Sequence, residues 1–254
     1  MTRLLAPLRR PVLLFGVCSA LAMVCASGAV FGALPQQRLY QRSGAHFAVM
    51  FEGPADEAVA FRALEMLEAA YYRIGSALNV YPDQPVEVVL HTLEQFRDVT
   101  KAPAWSAGVY DGRIRVPIKD ADRSPEQLAE VLAHEYTHAI VANLAGRSAP
   151  TWLNEGLAGV MEPKGSRDEI EALARAGVRI PLSKLDASFR DLPVEQVQVA
   201  YAQSASAVQR MIQLRGAQAV VSLLRGLKGG APFATAFQSA VGMRFEDFEG
   251  MVAR

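Results

Sequence analysis

Hydrophobic and polar residues alternate in the first half of the chain as they do in β-strands. Residues 46–53 (HFAVMFEG) show this alternation, and residues 86–91 (VEVVLH) form a β-branched run that predicts a second strand. Between them, residues 55–78 have apolar side chains at helical spacing. Residues 108–118 place the Asp-Gly pair 111–112 between two β-prone segments, which predicts a hairpin. The pattern therefore predicts a small sheet with at least one helix packed on it.

Helical spacing replaces the strand pattern in the second half. Ser124, Pro125 and Gln127 form a helix start, with Ser124 as the N-cap and Pro125 at the first helical position. This helix can run to Gly146, which is suited to end it. Further helical patterns cover residues 150–162, 166–176, 193–214, 216–226, 231–240 and 245–252. We therefore expect an α+β fold, in which a small N-terminal sheet lobe is followed by a mainly helical C-terminal lobe.

The composition is that of a globular protein and argues against one class of partner. The chain has 254 residues, of which 51% are hydrophobic and 20% are charged, and its 26 basic and 26 acidic residues cancel. Nucleic-acid binders usually have a basic excess, and no stretch here clusters Lys and Arg with interleaved aromatic residues. We therefore expect no nucleic-acid partner.

The first 34 residues differ from the rest. Three arginines within the first ten residues precede an uncharged run over residues 11–37 that is almost wholly apolar or small up to Leu34. This pattern predicts a secretory signal peptide or an N-terminal membrane anchor over residues 1–34. Either alternative places residues 36–254 outside the cytoplasm, in the periplasm or another extracytoplasmic space, secreted or associated with the membrane through that segment.

The cysteines limit the chemistry of the remaining chain. Cys18 and Cys25 are the only two, and both lie in the N-terminal segment. Residues 36–254 can therefore use neither a disulfide nor a thiol nucleophile. Any reaction must rely on histidines, carboxylates, hydroxyls or a metal ion.

The candidate chemistry lies in the predicted helix that starts at Pro125. His134-Glu135-Tyr136-Thr137-His138 has the H-E-x-x-H pattern. Residues i and i+4 share a helix face, so both imidazoles can reach one metal ion. Glu135 lies about 100° around the helix from His134, where it can act on a water at the metal without being a ligand. The motif therefore predicts a metal centre with an adjacent base.

Catalytic zinc generally takes a third protein ligand. The metzincin extension would need Gly at 141 and His at 144, but the chain has Val141 and Leu144, which excludes that subclass. Glu155 follows His138 by 17 residues, within a helix that can begin near Thr151. Antiparallel packing of the two helices could bring the Glu155 carboxylate to the metal.

These segments resemble a known family. HEYTH followed by TWLNEGLA (151–158) is similar to the gluzincin clan of zinc peptidases, and more closely to the peptidase MA-like family of exported bacterial proteins. The resemblance covers most of residues 36–254, which it implies are one peptidase domain. It includes WSAGVYDGRIRVPI (105–118) and YAQSASAVQRMI (201–212).

The resemblance implies an activity and a set of roles. One zinc ion would be bound by His134, His138 and Glu155, and a zinc-activated water would hydrolyse peptide bonds of a peptide or protein substrate with Glu135 as general base. Residues 108–118 would supply an edge strand of a mixed sheet beside the zinc helix, with backbone groups for an extended peptide. The resemblance therefore implies a thermolysin-like, gluzincin core.

The sequence departs from the family pattern in one spacing and at one position, and the residues that orient the histidines and stabilise the oxyanion have alternatives. The spacing from His138 to Glu155 is shorter than in thermolysin-like and aminopeptidase members, and Gly159 replaces the Asp that orients a histidine in thermolysin-like enzymes. Glu162 lies on the same helix face as Glu155, although a solvated surface position is the more frequent role for such a residue. Tyr201 resembles the tyrosine that stabilises the oxyanion in this family, and a half-buried Tyr bonded to the backbone is the alternative.

Two other functions stay open on the residues alone. The missing carboxylate at position 159 favours an exported zinc-bearing protein that binds peptides or an envelope partner without turnover. A zinc hydrolase of a non-peptide amide, such as a cell-wall crosslink, is the other alternative.

Overall fold

A five-stranded mixed sheet forms the N-terminal part of the fold. The computed structural model describes residues 39–118, 124–165, 170–171 and 179–253. The strands are β1 (Tyr40–Ser43), β2 (Phe47–Phe51), β3 (Val86–His91), β4 (Val109–Tyr110) and β5 (Ile114–Pro117). Their order is β1-β2-β3-β5-β4, with parallel pairing at β2–β3 and β3–β5 and antiparallel pairing at both outer pairs. The short strand β4 is therefore at the edge of the sheet.

Helices make up most of the remaining described chain. They are α1 (Glu57–Leu78), α2 (Leu93–Thr100), α3 (Pro125–Ala145), α4 (Thr151–Val160), α5 (Val194–Arg215), α6 (Ala217–Lys228), α7 (Phe233–Val241) and α8 (Phe245–Val252). None of the helices in the described ranges is both long and apolar enough to cross a bilayer. A sheet followed by helices confirms the predicted α+β class. The predicted helix 166–176 falls largely outside the described residues, and the N-terminal segment 1–34 falls wholly outside them.

The main core lies between the sheet and two long helices. Side chains of β2, β3 and β5 that share one sheet face join the core together with α1 and α3, among them Val49, Leu90 and Ile114. Val89 points the other way because side chains alternate along a strand. Helix α2 contacts β3 and β5 and buries Phe96. The core thus fixes α3 against the sheet, which positions the H-E-x-x-H motif.

Local sequence signals explain most element ends, with one correction. Helix α3 begins at Pro125 and ends before Gly146 (φ 62°), as predicted, but the Ser124 side chain makes no capping hydrogen bond. The backbone carbonyl of Ser124 instead accepts from Leu128 N–H at 3.1 Å. The predicted Asp-Gly turn is present, with Gly112 at φ 104°, a conformation that favours glycine.

Helices α4 and α5 pack unusually close together. A methyl group added at Gly156 in α4 would lie 2.3 Å from the carbonyl oxygen of Ser204 in α5 and 2.8 Å from Val208 Cγ2. Only glycine permits this approach, because the nearest atoms belong to the backbone. Gly156 directly follows Glu155, and Ser204 lies one helical turn after Tyr201. The contact therefore sets the distance between the two predicted site elements.

Candidate metal centre

Helices α3 and α4 bring three potential ligand atoms together. His134 Nε2 lies 3.4 Å from Glu155 Oε2, and His138 Nε2 lies 3.5 Å from the same oxygen. Tetrahedral zinc has bonds of about 2.1 Å to nitrogen and oxygen, which place neighbouring ligand atoms about 3.4 Å apart. The observed separations therefore fit the edges of such a site. The packing expected from the sequence does bring Glu155 to the two histidines.

The charges at this point suit a cation. Burial alone would raise the pKa of Glu155, but the two imidazoles, His138 first, hold it well below its usual range. Burial would lower the pKa of His134, yet the carboxylates of Glu155 and Glu162 raise it to about 10. The Glu155 Oε2 atom is buried and has no hydrogen-bond partner within the described residues. A cation between these groups would satisfy that oxygen and replace the protons that the imidazoles attract.

Both imidazoles are oriented from outside the centre. His134 Nδ1 lies 2.8 Å from Glu162 Oε1, and His138 Nδ1 lies 2.9 Å from Asn154 Oδ1. With Nδ1–H donating to these oxygens, each Nε2 lone pair faces the centre. Glu162 thus lies against His134, although a solvated position was the more frequent expectation for it. Asn154 was missed by the sequence reasoning, and its only signal was its position directly before Glu155.

Glu135 is buried beside the three ligand atoms. Its side chain is 5% exposed, and its Oε2 has no hydrogen-bond partner in the described part of the chain. Burial raises the pKa of Glu135, and the neighbouring imidazoles only partly offset this effect. The backbone of Gly108, just before β4, touches it: an added methyl group there would lie 2.7 Å from Glu135 Cγ and Oε1. The edge of the sheet therefore approaches the candidate base directly.

Tyr201, on α5, lies near the candidate centre. Its ring centroid is 6.4 Å from that of His134, 6.3 Å from Trp105 and 5.2 Å from Phe189. Burial, together with the charges of Glu155 and Glu135, raises the pKa of Tyr201 well above its usual range. The phenol therefore keeps its proton at neutral pH and can donate a hydrogen bond. The structure brings all five predicted site residues to one cleft.

Two adjoining cavities make up this cleft. The acidic cavity, about 320 Å³, includes Glu130 and Glu162 in its lining, and the basic cavity, about 390 Å³, includes Arg147 and Arg190. Both cavities share the central residues Trp105, Ser106, Gly108, His134, Glu135, Glu155 and Tyr201. The candidate centre thus lies where the two cavities meet, open to a molecule that spans both.

Two imidazoles and one carboxylate beside a buried glutamate define the site as a candidate centre of the two-histidine, one-glutamate metal class. Residues 69–253 match the sequence model described as the Peptidase MA superfamily, and the chain belongs to that superfamily. The family resemblance noted from the H-E-x-x-H and TWLNEGLA segments is thereby confirmed. No curated protein sequence matches the chain.

Solved structures of larger enzymes are similar to this fold. One is Legionella pneumophila aminopeptidase A in complex with aspartic acid, with 18% identity, a TM-score of 0.48, and coverage of 83% of this chain and 27% of that chain. Another is a mutant two-domain M1 zinc metallopeptidase bound to L-arginine, with 17% identity and a TM-score of 0.48. That match covers 84% of this chain and 50% of that chain. The chain thus spans about a quarter of the first structure and half of the second.

Proposed function

We propose that the chain is a zinc-dependent metallopeptidase of the gluzincin type that hydrolyses peptide bonds of a peptide or protein substrate. One zinc ion would be held by His134, His138 and Glu155. The observation that carries this proposal is the pair of 3.4 Å and 3.5 Å separations between the imidazole nitrogens and one carboxylate oxygen. The contacts that orient both imidazoles, and membership of the Peptidase MA superfamily, also support the proposal.

The residues around the centre suggest how hydrolysis would proceed. A zinc ion bound there would lower the pKa of a water and polarise the scissile carbonyl. Glu135, buried next to the ligands, would accept the water's proton and deliver it to the leaving amine. Tyr201, which stays protonated, would donate a hydrogen bond to the oxygen on which negative charge develops.

The edge strand offers a way to hold the substrate. In the described sheet, β4 pairs with β5 along one side, and its other side has no neighbouring strand. An extended peptide could add to this edge through backbone hydrogen bonds, next to the point where Gly108 meets Glu135. We propose that the peptide lies along β4 and crosses the centre.

The proposal extends to the location of the protein. The basic start and apolar run of residues 1–34 support export, with residues 36–254 acting outside the cytoplasm as one domain. Fractionation followed by mass spectrometry of the mature N-terminus tests this. A full-length chain in the cytoplasmic fraction would contradict it.

Metal content and cleavage together test the function. The purified full chain should contain one zinc per molecule by mass spectrometry of the metal and should cleave members of a mixed peptide library. Glu135→Gln should keep the zinc and lose cleavage, whereas Glu126→Gln, a matched change at an exposed position of the same helix, should keep both. Absence of zinc would overturn the metal site. Zinc without peptide cleavage would overturn the peptidase and favour binding without turnover or a non-peptide amide substrate.

A further inference from the structure

The basic cavity contains two positive charges that no described residue neutralises. Arg147 follows the end of α3, and Arg190 lies in a short 3₁₀ helix, Phe189–Asp191. Both arginines are exposed, and within the described ranges neither guanidinium forms an ion pair or a side-chain hydrogen bond to a protein acceptor. Two such cations in one cavity of about 390 Å³ provide hydrogen-bond donors for an anionic group.

The distribution of charge along the cleft is uneven. Among the described residues, the carboxylates that line the basic cavity are Glu135 and Glu155, which belong to the candidate centre itself. The described lining of the acidic cavity contains the further carboxylates Glu130 and Glu162 and no Lys or Arg. Lys164, outside that lining, pairs with Glu130 at 2.8 Å. Among the described lining residues, a substrate that spans both cavities therefore meets arginines on one side of the centre only. This asymmetry can orient the substrate as well as bind it.

The cationic side chains lie close to the proposed chemistry. Phe189 packs edge-on against Tyr201, with ring centroids 5.2 Å apart, and Arg190 is the next residue. Arg190 and Tyr201 both line the basic cavity. A group held by Arg190 would therefore lie near the residues that flank the scissile bond.

We propose that the basic cavity is a subsite for a carboxylate of the substrate, held by Arg147 and Arg190. The carboxylate is an acidic side chain near the scissile bond or the free C-terminus of a short peptide. Guanidinium groups suit such a ligand because their paired N–H donors match the two carboxylate oxygens. This inference rests on the proposed peptidase function, since the ligand is taken to be its substrate.

Binding without turnover gives the direct test. The zinc-loaded Glu135→Gln chain is titrated, by fluorescence anisotropy, with labelled octapeptides that carry Glu or Gln at each position in turn, each with a free or an amidated C-terminus. At least one carboxylate position should strengthen binding by about two- to fivefold per arginine engaged, as expected for exposed charge pairs. The gain should shrink as salt is raised, because exposed charges are screened.

Variants then assign the effect to the two arginines. On the Glu135→Gln background, Arg147→Gln combined with Arg190→Gln should abolish the preference for the carboxylate, and the corresponding Lys pair should restore part of it. Arg225→Gln, a matched loss of charge at an exposed position outside the cleft lining, should leave the preference intact. The position at which the gain appears distinguishes an acidic side chain from a C-terminal carboxylate.

The outcomes separate this inference from the proposed function. Equal binding of the Glu, Gln, free and amidated peptides would overturn the subsite even if the wild-type chain cleaves peptides. A carboxylate preference that survives the double Gln variant would also overturn it. A preference that depends on Arg147 and Arg190 in a chain that cleaves no peptide would support the carboxylate site and overturn the peptidase.

Discussion

Replacing Gly156 with alanine tests whether the close contact of α4 and α5 holds the candidate centre together. The added methyl group would lie 2.3 Å from Ser204 O and 2.6 Å from Ser204 C. Carbon atoms normally approach such atoms to about 3.5 Å, so the helices would have to separate by about 1 Å. The obstacle is backbone, so no side-chain rotation can relieve it. Overpacking of this kind costs about 1–3 kcal/mol.

The expected result has a thermodynamic and a functional part. A loss of about 2 kcal/mol should lower the melting temperature by about 4–8 °C for a domain of this size. Because Glu155 precedes Gly156 and Tyr201 lies on α5, a displacement of about 1 Å should also reduce kcat/KM by about 100-fold. Urea and thermal unfolding, both followed by circular dichroism, measure the loss of free energy and the shift in melting temperature. Peptide cleavage at saturating zinc measures kcat/KM.

Gly250 supplies a matched control. It also lies in a helix, α8, but an added methyl group there meets nothing within 4 Å. Gly250→Ala should therefore stabilise the chain by about 0.5–1 kcal/mol, the usual gain from replacing a helical glycine. If Gly156→Ala is as stable and as active as Gly250→Ala, the close contact of α4 and α5 does not hold the candidate centre together.

Further substitutions address the cleft. Gly108→Ala should lower kcat by about 100-fold while zinc content stays unchanged, because the methyl group displaces Glu135. Steady-state kinetics measures kcat, and metal analysis measures the zinc content. Glu162→Ala and Asn154→Ala should each weaken zinc binding about 10–100-fold in competition with a chelator, since each removes the oxygen that accepts a hydrogen bond from one imidazole. Tyr201→Phe should lower kcat about 100-fold with a smaller change in KM, as expected for a donor that acts in the transition state.

Each of these predictions has an outcome that contradicts it. Loss of zinc from Gly108→Ala would mean that the change disturbs the ligands and not only the base. Unchanged zinc affinity in both Glu162→Ala and Asn154→Ala would contradict the orienting role of these side chains. Full activity of Tyr201→Phe would contradict the role of Tyr201 as a donor and favour the alternative of a half-buried structural tyrosine.

Local geometry explains what could be predicted from the sequence. The separation of His134 and His138 by one helical turn places both on one face whatever the tertiary structure. The alternation in β2 and the Asp-Gly turn were likewise recognisable, because their signals lie within a few residues. Strand β1 was missed since its four residues are all exposed and show no hydrophobic alternation. Its pairing with β2 depends on backbone hydrogen bonds, which a pattern of hydrophobic and polar side chains does not indicate.

The remaining features depend on packing between distant segments. Nothing near Gly156 indicates that Ser204 lies against it, and nothing near Arg147 indicates a second arginine from the segment at Arg190. The role of Glu162 follows from the path of the chain after α4 and not from its own neighbours. Ser124 shows the opposite case: a correct local signal for a helix start whose expected side-chain bond does not form.

The candidate centre is formed by two helices that follow each other in the sequence, α3 and α4. Three side chains contact the two histidines, and all three lie on α4 or within two residues of its end: Asn154, Glu155 and Glu162. The chain from His138 to Glu155 closes a loop shorter than half that needed to pair Phe47 with Val86 in the sheet. A shorter loop costs less conformational entropy to close. The residues of the candidate centre can therefore meet as a local helical hairpin, before the long-range strand pairs of the sheet have formed.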